Sequence, residues 1–152
     1  MNLKKSFLDH CEVNQYEVNH NQIDIVNDLN DFYKNNYNQS FLNKILKNKN
    51  KKLGYYLVGD VGVGKTMILN FFFNKLKEKK SRLHFNEFMI KFHNFIFKDK
   101  NKENIIENFV KNLKKTNQII YFDEFQVTNI VDAMILGKLF KKIFEENIKV
   151  IF

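Results

Sequence analysis

Apolar positions in the first third of the chain recur at helical spacing. A helix is predicted from Asn19 onward, because apolar side chains return mostly every three residues. These positions are Ile23, Val26, Leu29, Phe32 and Tyr33. A shorter pattern over residues 41–46 predicts another helix, and the lysine-rich polar run 47–52 predicts a solvated linker. The sequence therefore predicts a helical region over residues 1–52, followed by a core domain over residues 53–152.

Beyond the linker, short apolar runs typical of strands alternate with longer stretches typical of helices. Strands are predicted at 55–58, 82–85, 118–122 and 149–152, and helices at 67–77, 88–96, 104–113 and 131–144. This alternation indicates an α/β fold with a parallel sheet covered on both faces. The run 55–58 lies between two glycines and is predicted to be a buried strand. The chain stops inside a strand, which predicts a truncated domain.

Length and composition narrow the class of protein. The 152 residues are 44% hydrophobic and 28% charged, which predicts one folded domain. No apolar run approaches the roughly 20 residues of a membrane span, so no integral membrane protein is expected. The N-terminus lacks an apolar signal core and the character of a transit peptide, which predicts a cytoplasmic protein. Cys11 is the only cysteine, so no internal disulfide can form, and it is predicted to be inert.

The charge balance is basic but carries little functional information. The net charge is +8, and all but one of the 25 basic residues are lysines spread along the chain. Lysine, asparagine, isoleucine and phenylalanine dominate, which is typical of an A/T-rich coding sequence. Arg82 is the single arginine, whereas a nucleic-acid surface favours arginine forks beside clustered aromatic residues. We therefore interpret the charge as compositional drift and expect no nucleic-acid partner.

Residues 59–66 carry the first motif with chemical meaning. They read Gly59, Asp60, Val61, Gly62, Val63, Gly64, Lys65 and Thr66, which matches the Walker A pattern. Glycines let the backbone bend around phosphates, and the helix that follows directs its positive end toward them. Lys65 is predicted to reach the β- and γ-phosphates of ATP, and the Thr66 hydroxyl to ligate Mg²⁺. A simple glycine-rich turn is the alternative, but the flanking strand and helix favour the phosphate loop.

An apolar strand that ends in two carboxylates is the second motif. Residues 119–122 are apolar, and Asp123 and Glu124 follow them, as in a Walker B segment. Asp123 is predicted to hold Mg²⁺, usually through water, and Glu124 to be the catalytic base that activates the attacking water. Acids also occur at strand ends simply because they meet solvent, so this assignment depends on the phosphate loop upstream. A water-activating glutamate favours hydrolysis over transfer to a small substrate.

Two other groups of residues have competing interpretations. His84 and His93 could form a metal pair, but they lie nine positions apart and no cysteines accompany them, so structural histidines are predicted. The run Phe71–Phe73 could insert into a membrane, but three consecutive residues cover more than half of a helix circumference. Burial of these rings is therefore predicted.

Four segments in order resemble the ZapE-type, AFG-like branch of the AAA+ ATPases. They are residues 54–67 around the phosphate loop, 82–89 with His93 (R-x-H-F-H-x-F-M…H), 122–128 (F-D-E-F-x-V-T) and 129–136 (D-I-x-D-A-M-I-L). Asn86 and Asn129 depart from the family's His and Asp. Upstream of Gly54 the resemblance is thin, and only Gln22 and the helical region around it are candidates for an equivalent family segment. The resemblance implies a P-loop NTPase of the AAA+ type, a three-layer sandwich truncated before the last core strand and the lid.

The resemblance also implies an activity and partners. It implies binding and hydrolysis of ATP with Mg²⁺ by a bacterial cell-division ATPase that acts on a protein partner, with an FtsZ-like polymer as the candidate. A homo-oligomer is implied for the full-length protein. The family's sensor residue, arginine finger and lid would all lie beyond Phe152.

Two alternatives stay open. One is a DNA-associated AAA+ ATPase of the helicase-loader kind, which salt-dependent DNA binding would indicate. The other is a nucleotide-binding fragment without turnover, since Arg82 is wrongly placed for an arginine finger. Loss of such a finger costs about 10³–10⁵ in rate.

Overall fold

The computed structural model describes residues 2–37, 52–59, 62–98 and 103–152. Contacts divide the chain into two compact units, residues 1–76 and 77–152. The domain boundary predicted after residue 52 differs from this division and stays a prediction. The helix expected at 41–46 and the linker up to residue 51 lie outside the described residues. None of the helices within the described ranges is long and apolar enough to cross a membrane.

The first unit is mainly helical in its described part. Its elements are α1 (Leu3–Val13), α2 (His20–Tyr37), β1 (Gly54–Tyr55) and α3 (Lys65–Lys75). Helix α2 begins one residue after Asn19, where the apolar spacing predicts it. Its apolar stripe faces inward, because Val26 and Leu29 have no exposed surface and Phe32 is buried.

The aromatic side chains of α3 pack against the two N-terminal helices. The ring of Phe71 lies 5.2 Å from the rings of Phe7 and His10 in α1, and Phe72 lies 6.5 Å from Tyr33 in α2. Phe71 and Phe72 are buried, as predicted, whereas Phe73 is only partly buried. The first unit thus fixes the helix that follows the glycine motif.

The prediction of a buried strand over residues 55–58 is wrong in length and in burial, although a short strand does lie at its start. Strand β1 contains only Gly54 and Tyr55, and the side chains of Tyr56 and Val58 are 64% and 74% exposed. Alternate residues of an extended segment point to opposite sides. Only one side is covered here, and on that side the Tyr55 ring packs 5.8 Å from Phe32.

The second unit has alternating strands and helices. Its elements are β2 (Lys80–His84), α4 (Phe85–Lys98), α5 (Ile105–Thr116), β3 (Ile119–Asp123), α6 (Ile130–Glu145) and β4 (Lys149–Ile151). These strands pair in parallel in the spatial order β4, β3, β2. Helices connect them, as parallel neighbours require. The predicted α/β fold with a parallel sheet is confirmed.

Strand β3 runs through the middle of an aromatic core. Its residues Ile119–Phe122 are all buried. The ring of Phe122 lies between 4.8 and 5.9 Å from four other phenylalanine rings. They are Phe85, Phe88, Phe140 and Phe152. Such ring pairs add about 0.5–1.5 kcal/mol each beyond simple burial. The residue that follows Phe122, Asp123, therefore projects from a rigid strand end.

Candidate functional site

The phosphate loop bends through two glycines in the left-handed region. Gly62 and Gly64 have φ values of 88° and 86°. A Cβ added to Gly62 would meet nothing within 4 Å, so only the backbone conformation requires glycine there. Gly64 precedes α3 directly, and its carbonyl accepts a hydrogen bond from the Ile68 amide at 3.0 Å. The first-turn amides of α3 lack intrahelical acceptors, so they are available to hydrogen-bond an anion. Asp60 and Val61 lie outside the described residues.

Lys65 folds back across the loop that precedes it. Its Nζ donates a hydrogen bond of 2.5 Å to the Gly59 carbonyl, which joins the last part of the motif to its first residue. The ammonium group is therefore held over the loop. Thr66, the next residue, is exposed at the start of α3.

Gln22 is a residue at this loop that sequence reasoning did not assign. Its Nε2 donates to the Val63 carbonyl at 3.4 Å, and its side chain is buried. A Cβ added to Gly64 would lie 2.9 Å from the same Nε2 atom. The pattern Asn19-x-x-Gln22 marks a helix start in the sequence. That pattern says nothing of a contact with a loop 41 residues away.

Asp123 stands at the carboxyl end of β3 and is held by two neighbours. Arg82 Nε donates to its Oδ2 at 3.0 Å, and Arg82 Nη2 forms an ion pair with the same oxygen. The Tyr121 hydroxyl donates to Oδ1 at 3.3 Å. Arg82 also lies over the Tyr121 ring, 5.1 Å from its centre. Both carboxylate oxygens are therefore oriented by groups on β2 and β3.

Tyr121 is a neutral hydrogen-bond donor at ordinary pH. Burial, followed by the charge of Asp123, raises the pKa of its phenol to about 12. Arg82 acts in the opposite direction but more weakly than these two causes. Tyr55 in the first unit is similar, since burial and then Asp28 raise its pKa to about 12.

Glu124 differs from Asp123 in backbone and environment. Its φ is 52°, in the left-handed region that costs a non-glycine residue energy and recurs at functional sites. Its side chain is 78% exposed, and Oε2 lies 3.7 Å from His84 Nδ1 at the end of β2. The two carboxylates thus have separate partners, and the side chain of Glu124 is more exposed, at 78% against 20% for Asp123.

The segment after the two carboxylates is fixed by a cap and a side-chain pair. The Asn129 side chain accepts a hydrogen bond from the Val131 amide at 2.8 Å and caps α6. His93 Nε2 lies 2.7 Å from Asp132 Oδ1, which ties α4 to α6. His93 is therefore occupied in a helix–helix contact.

The candidate magnesium ligands Thr66 and Asp123 both offer oxygen atoms, the donor type that Mg²⁺ prefers. Within the part of the chain that the structure describes, no group of three or more His, Cys, Asp or Glu side chains is placed to hold a metal. The Thr66 hydroxyl and the Asp123 carboxylate are oxygen donors. Mg²⁺ favours one or two such ligands, completed by water and phosphate.

Comparison with known proteins decides the family. The model of a family described as AFG1-like ATPase matches residues 1–152. The chain belongs to the AFG1-like ATPase family. This confirms the resemblance found in the four sequence segments and the assignment of the fold to the P-loop ATPases.

Curated relatives come from bacteria, fish and yeast. The chain is 36% identical over 99 residues to the cell division protein ZapE of Escherichia coli, covering 64% of this chain and 26% of that protein. It is 38% identical over 110 residues to lactation elevated protein 1 homolog B of Danio rerio, covering 64% of the chain and 22% of the relative. A protein of Schizosaccharomyces pombe, C115.02c, is 32% identical over 102 residues. The alignments thus span about a quarter of these AFG1-like relatives. No solved structure matches the chain.

Proposed function

We propose that this chain is the nucleotide-binding part of an AAA+ ATPase, and that it binds ATP with Mg²⁺. The observation that carries the proposal is the bend at Gly62 and Gly64 directly before α3. This bend presents backbone amides and a helix N-terminus to an anion, and Lys65 adds a positive charge at the same loop. Membership of an ATPase family supports the choice of ATP as the anion.

Each residue of the phosphate loop has a role in this proposal. Residues 59–64 are the proposed phosphate-binding residues, and the amides of Gly62, Val63 and Gly64 lie next to the start of α3. Lys65 exchanges its bond to the Gly59 carbonyl for the β- and γ-phosphates. The Thr66 hydroxyl is a magnesium ligand. The bound metal would neutralise charge on the phosphates as they react.

Hydrolysis is the proposed reaction, with two carboxylates in separate roles. Asp123 holds magnesium, and its orientation by Arg82 and Tyr121 keeps one geometry available for the metal. Glu124 is the proposed general base. Its 78% exposure gives water access, and the His84 ring lies 3.7 Å from the carboxylate.

The biological setting is proposed from the relatives. The Escherichia coli relative is a cell division protein, which supports a cell-division ATPase that acts on a protein partner in the cytoplasm. An FtsZ-like polymer is the proposed partner, and a homo-oligomer the proposed full-length form. Co-sedimentation of the full-length protein with such filaments, with and without ATP, tests this part.

Calorimetry with ATP and Mg²⁺ tests the binding function. Folded wild-type protein is expected to bind, and Lys65→Ala to bind about a hundredfold more weakly. This loss corresponds to about 3 kcal/mol, the upper range for a hydrogen bond to a charged group. Lys75→Ala, at the other end of α3, is the matched control and is expected to bind normally. Absence of heat with folded wild-type protein, or equal affinity of the Lys65 variant, would contradict the proposal.

A further inference from the structure

The side-chain amide of Gln22 packs directly on the backbone of the phosphate loop. Its Nε2 lies 3.4 Å from the Val63 carbonyl, to which it donates. The same nitrogen fills the space beside Gly64, where a Cβ would come within 2.9 Å of it. Gln22 is only 7% exposed, whereas its partner Val63 is 42% exposed, so the contact joins a buried side chain to a surface loop. Helix α2 therefore contacts the loop at Val63 and Gly64, directly before Lys65.

A capping box fixes the orientation of the Gln22 amide. The backbone N–H of Asn19 donates to the side-chain Oε1 of Gln22 at 3.2 Å, and the backbone N–H of Gln22 donates to the side-chain Oδ1 of Asn19 at 2.9 Å. The oxygen end of the side chain is committed to the start of α2. The nitrogen end is thereby directed toward the loop, since the two ends of an amide have opposite hydrogen-bonding character.

Helix α2 itself is firmly anchored in the first unit. Val26 and Leu29 are fully buried, and Tyr33 contacts Phe72 of α3 at 6.5 Å. The helix that carries Gln22 thus touches the loop near its first turn and α3 near its last turns. The contact from Gln22 therefore links the loop to a helix that is packed in the core of the first unit.

We propose that Gln22 is a positioning residue that holds the phosphate loop in its ATP-binding conformation. Helix α2 then belongs to the nucleotide site although it lies outside the Walker motifs. The inference rests on the proposed function, because it assumes that the loop binds ATP. It predicts a loss of affinity from a residue that acts through Val63 and Gly64.

The binding test compares three neighbouring substitutions. Gln22→Met keeps the volume and removes the donor, and is expected to weaken binding of Mg²⁺ and ATP about three- to tenfold, as for one net hydrogen bond. Asn21→Ala changes an exposed amide on the same turn and is expected to bind as wild type. Asn19→Ala breaks the capping box alone and is expected to have a smaller effect than Gln22→Met. Equal affinity of Gln22→Met and wild type would overturn the proposal.

A spectroscopic measurement separates loop positioning from a general loss of stability. The chain has five glycines, so ¹⁵N-glycine labelling gives few, resolvable amide signals. Without nucleotide, Gln22→Met is expected to shift the signals of Gly62 and Gly64 and to leave Gly137 in α6 unchanged. Unchanged loop signals would overturn the proposal even if affinity fell.

The same measurement distinguishes failure of the inference from failure of the proposed function. Wild-type protein that does not bind ATP would overturn the proposed function, while the glycine signals would still report whether Gln22 sets the loop. If Gln22→Met does not fold, Gln22→Asn replaces it. That variant keeps a neutral amide but is one methylene too short to reach the Val63 carbonyl, and the same outcomes are expected.

Discussion

The two units of the chain carry candidate functional residues of different kinds. In residues 1–76, the functional geometry is a property of the backbone, set by the φ values of Gly62 and Gly64. In residues 77–152, it is a property of side chains at strand ends, where Arg82 orients Asp123. A backbone site of this kind favours glycine at its bends, because other residues rarely adopt a positive φ. A side-chain site instead depends on the chemistry of individual carboxylates.

The two units also differ in what supports these parts. In the first unit, the side chain of Gln22 donates a hydrogen bond to the Val63 carbonyl of the phosphate loop, from a helix that is distant in sequence. The carboxylate strand is supported by a continuous aromatic core around Phe122. Substitutions in the first unit are therefore expected to change nucleotide affinity. Those in the second are expected to change turnover or folding stability.

Glu124→Gln should give the largest effect, because it removes the proposed base while keeping size and polarity. Turnover of ATP is expected to fall about 10²- to 10⁴-fold, the usual contribution of a positioned base. Affinity for ATP should stay near that of wild type, in contrast to Lys65→Ala. Steady-state hydrolysis and calorimetry on the same preparations measure both.

The control for this experiment is Glu87→Gln, an exposed glutamate in the first turn of α4. It should turn over ATP at the wild-type rate. Turnover retained by Glu124→Gln would remove Glu124 from the mechanism and break the proposed division between binding and chemistry.

The sequence predicted the carboxylate strand and the glycine loop well because both are local patterns. Four buried residues followed by Asp123 and Glu124 form a pattern that needs no distant contact to be recognised. The two left-handed glycines follow from the motif spacing. The helices of the second unit were predicted for the same reason, since apolar periodicity records which face a helix buries.

Features that depend on distant residues were not predictable in this way. The bond from Gln22 to Val63 spans 41 positions, and no periodicity encodes it. The pairing of Arg82 with Asp123 also requires the parallel register of β2 and β3. The exposure of Tyr56 and Val58 was missed because a continuous apolar run does not reveal whether both faces are covered.

Phe122→Ala tests whether the aromatic core supports the carboxylate strand. It deletes a ring that contacts four others, and it is expected to lower the free energy of unfolding by about 3–5 kcal/mol. Phe97→Ala is the matched control, because that ring is 92% exposed on α4 of the same unit. The control should change stability by about 0.5 kcal/mol or less. Equal effects in denaturant unfolding would show that the core around Phe122 is not close-packed.

The smallest expected effect is a pH dependence of the free energy of unfolding. In each unit it arises from one tyrosine with a raised pKa. The pKa of Tyr121 is raised to about 12, whereas a phenol in the unfolded chain titrates near 10. Between these values the unfolded state loses a proton that the folded state retains. The contribution of the neutral Tyr121 phenol to the free energy of unfolding is therefore complete below pH 10 and is lost as pH rises toward 12.

Tyr121→Phe isolates this contribution from the many lysines that titrate in the same range. The free energy of unfolding of wild type should fall by about 1 kcal/mol more than that of the variant between pH 9 and pH 11. Tyr55→Phe makes the same test in the first unit, where burial and Asp28 raise the pKa to about 12. Parallel pH curves for wild type and Tyr121→Phe would show that the phenol beside Asp123 titrates normally. The hydroxyl could then ionise next to a carboxylate, and the rigid side-chain geometry ascribed to the second unit would not hold.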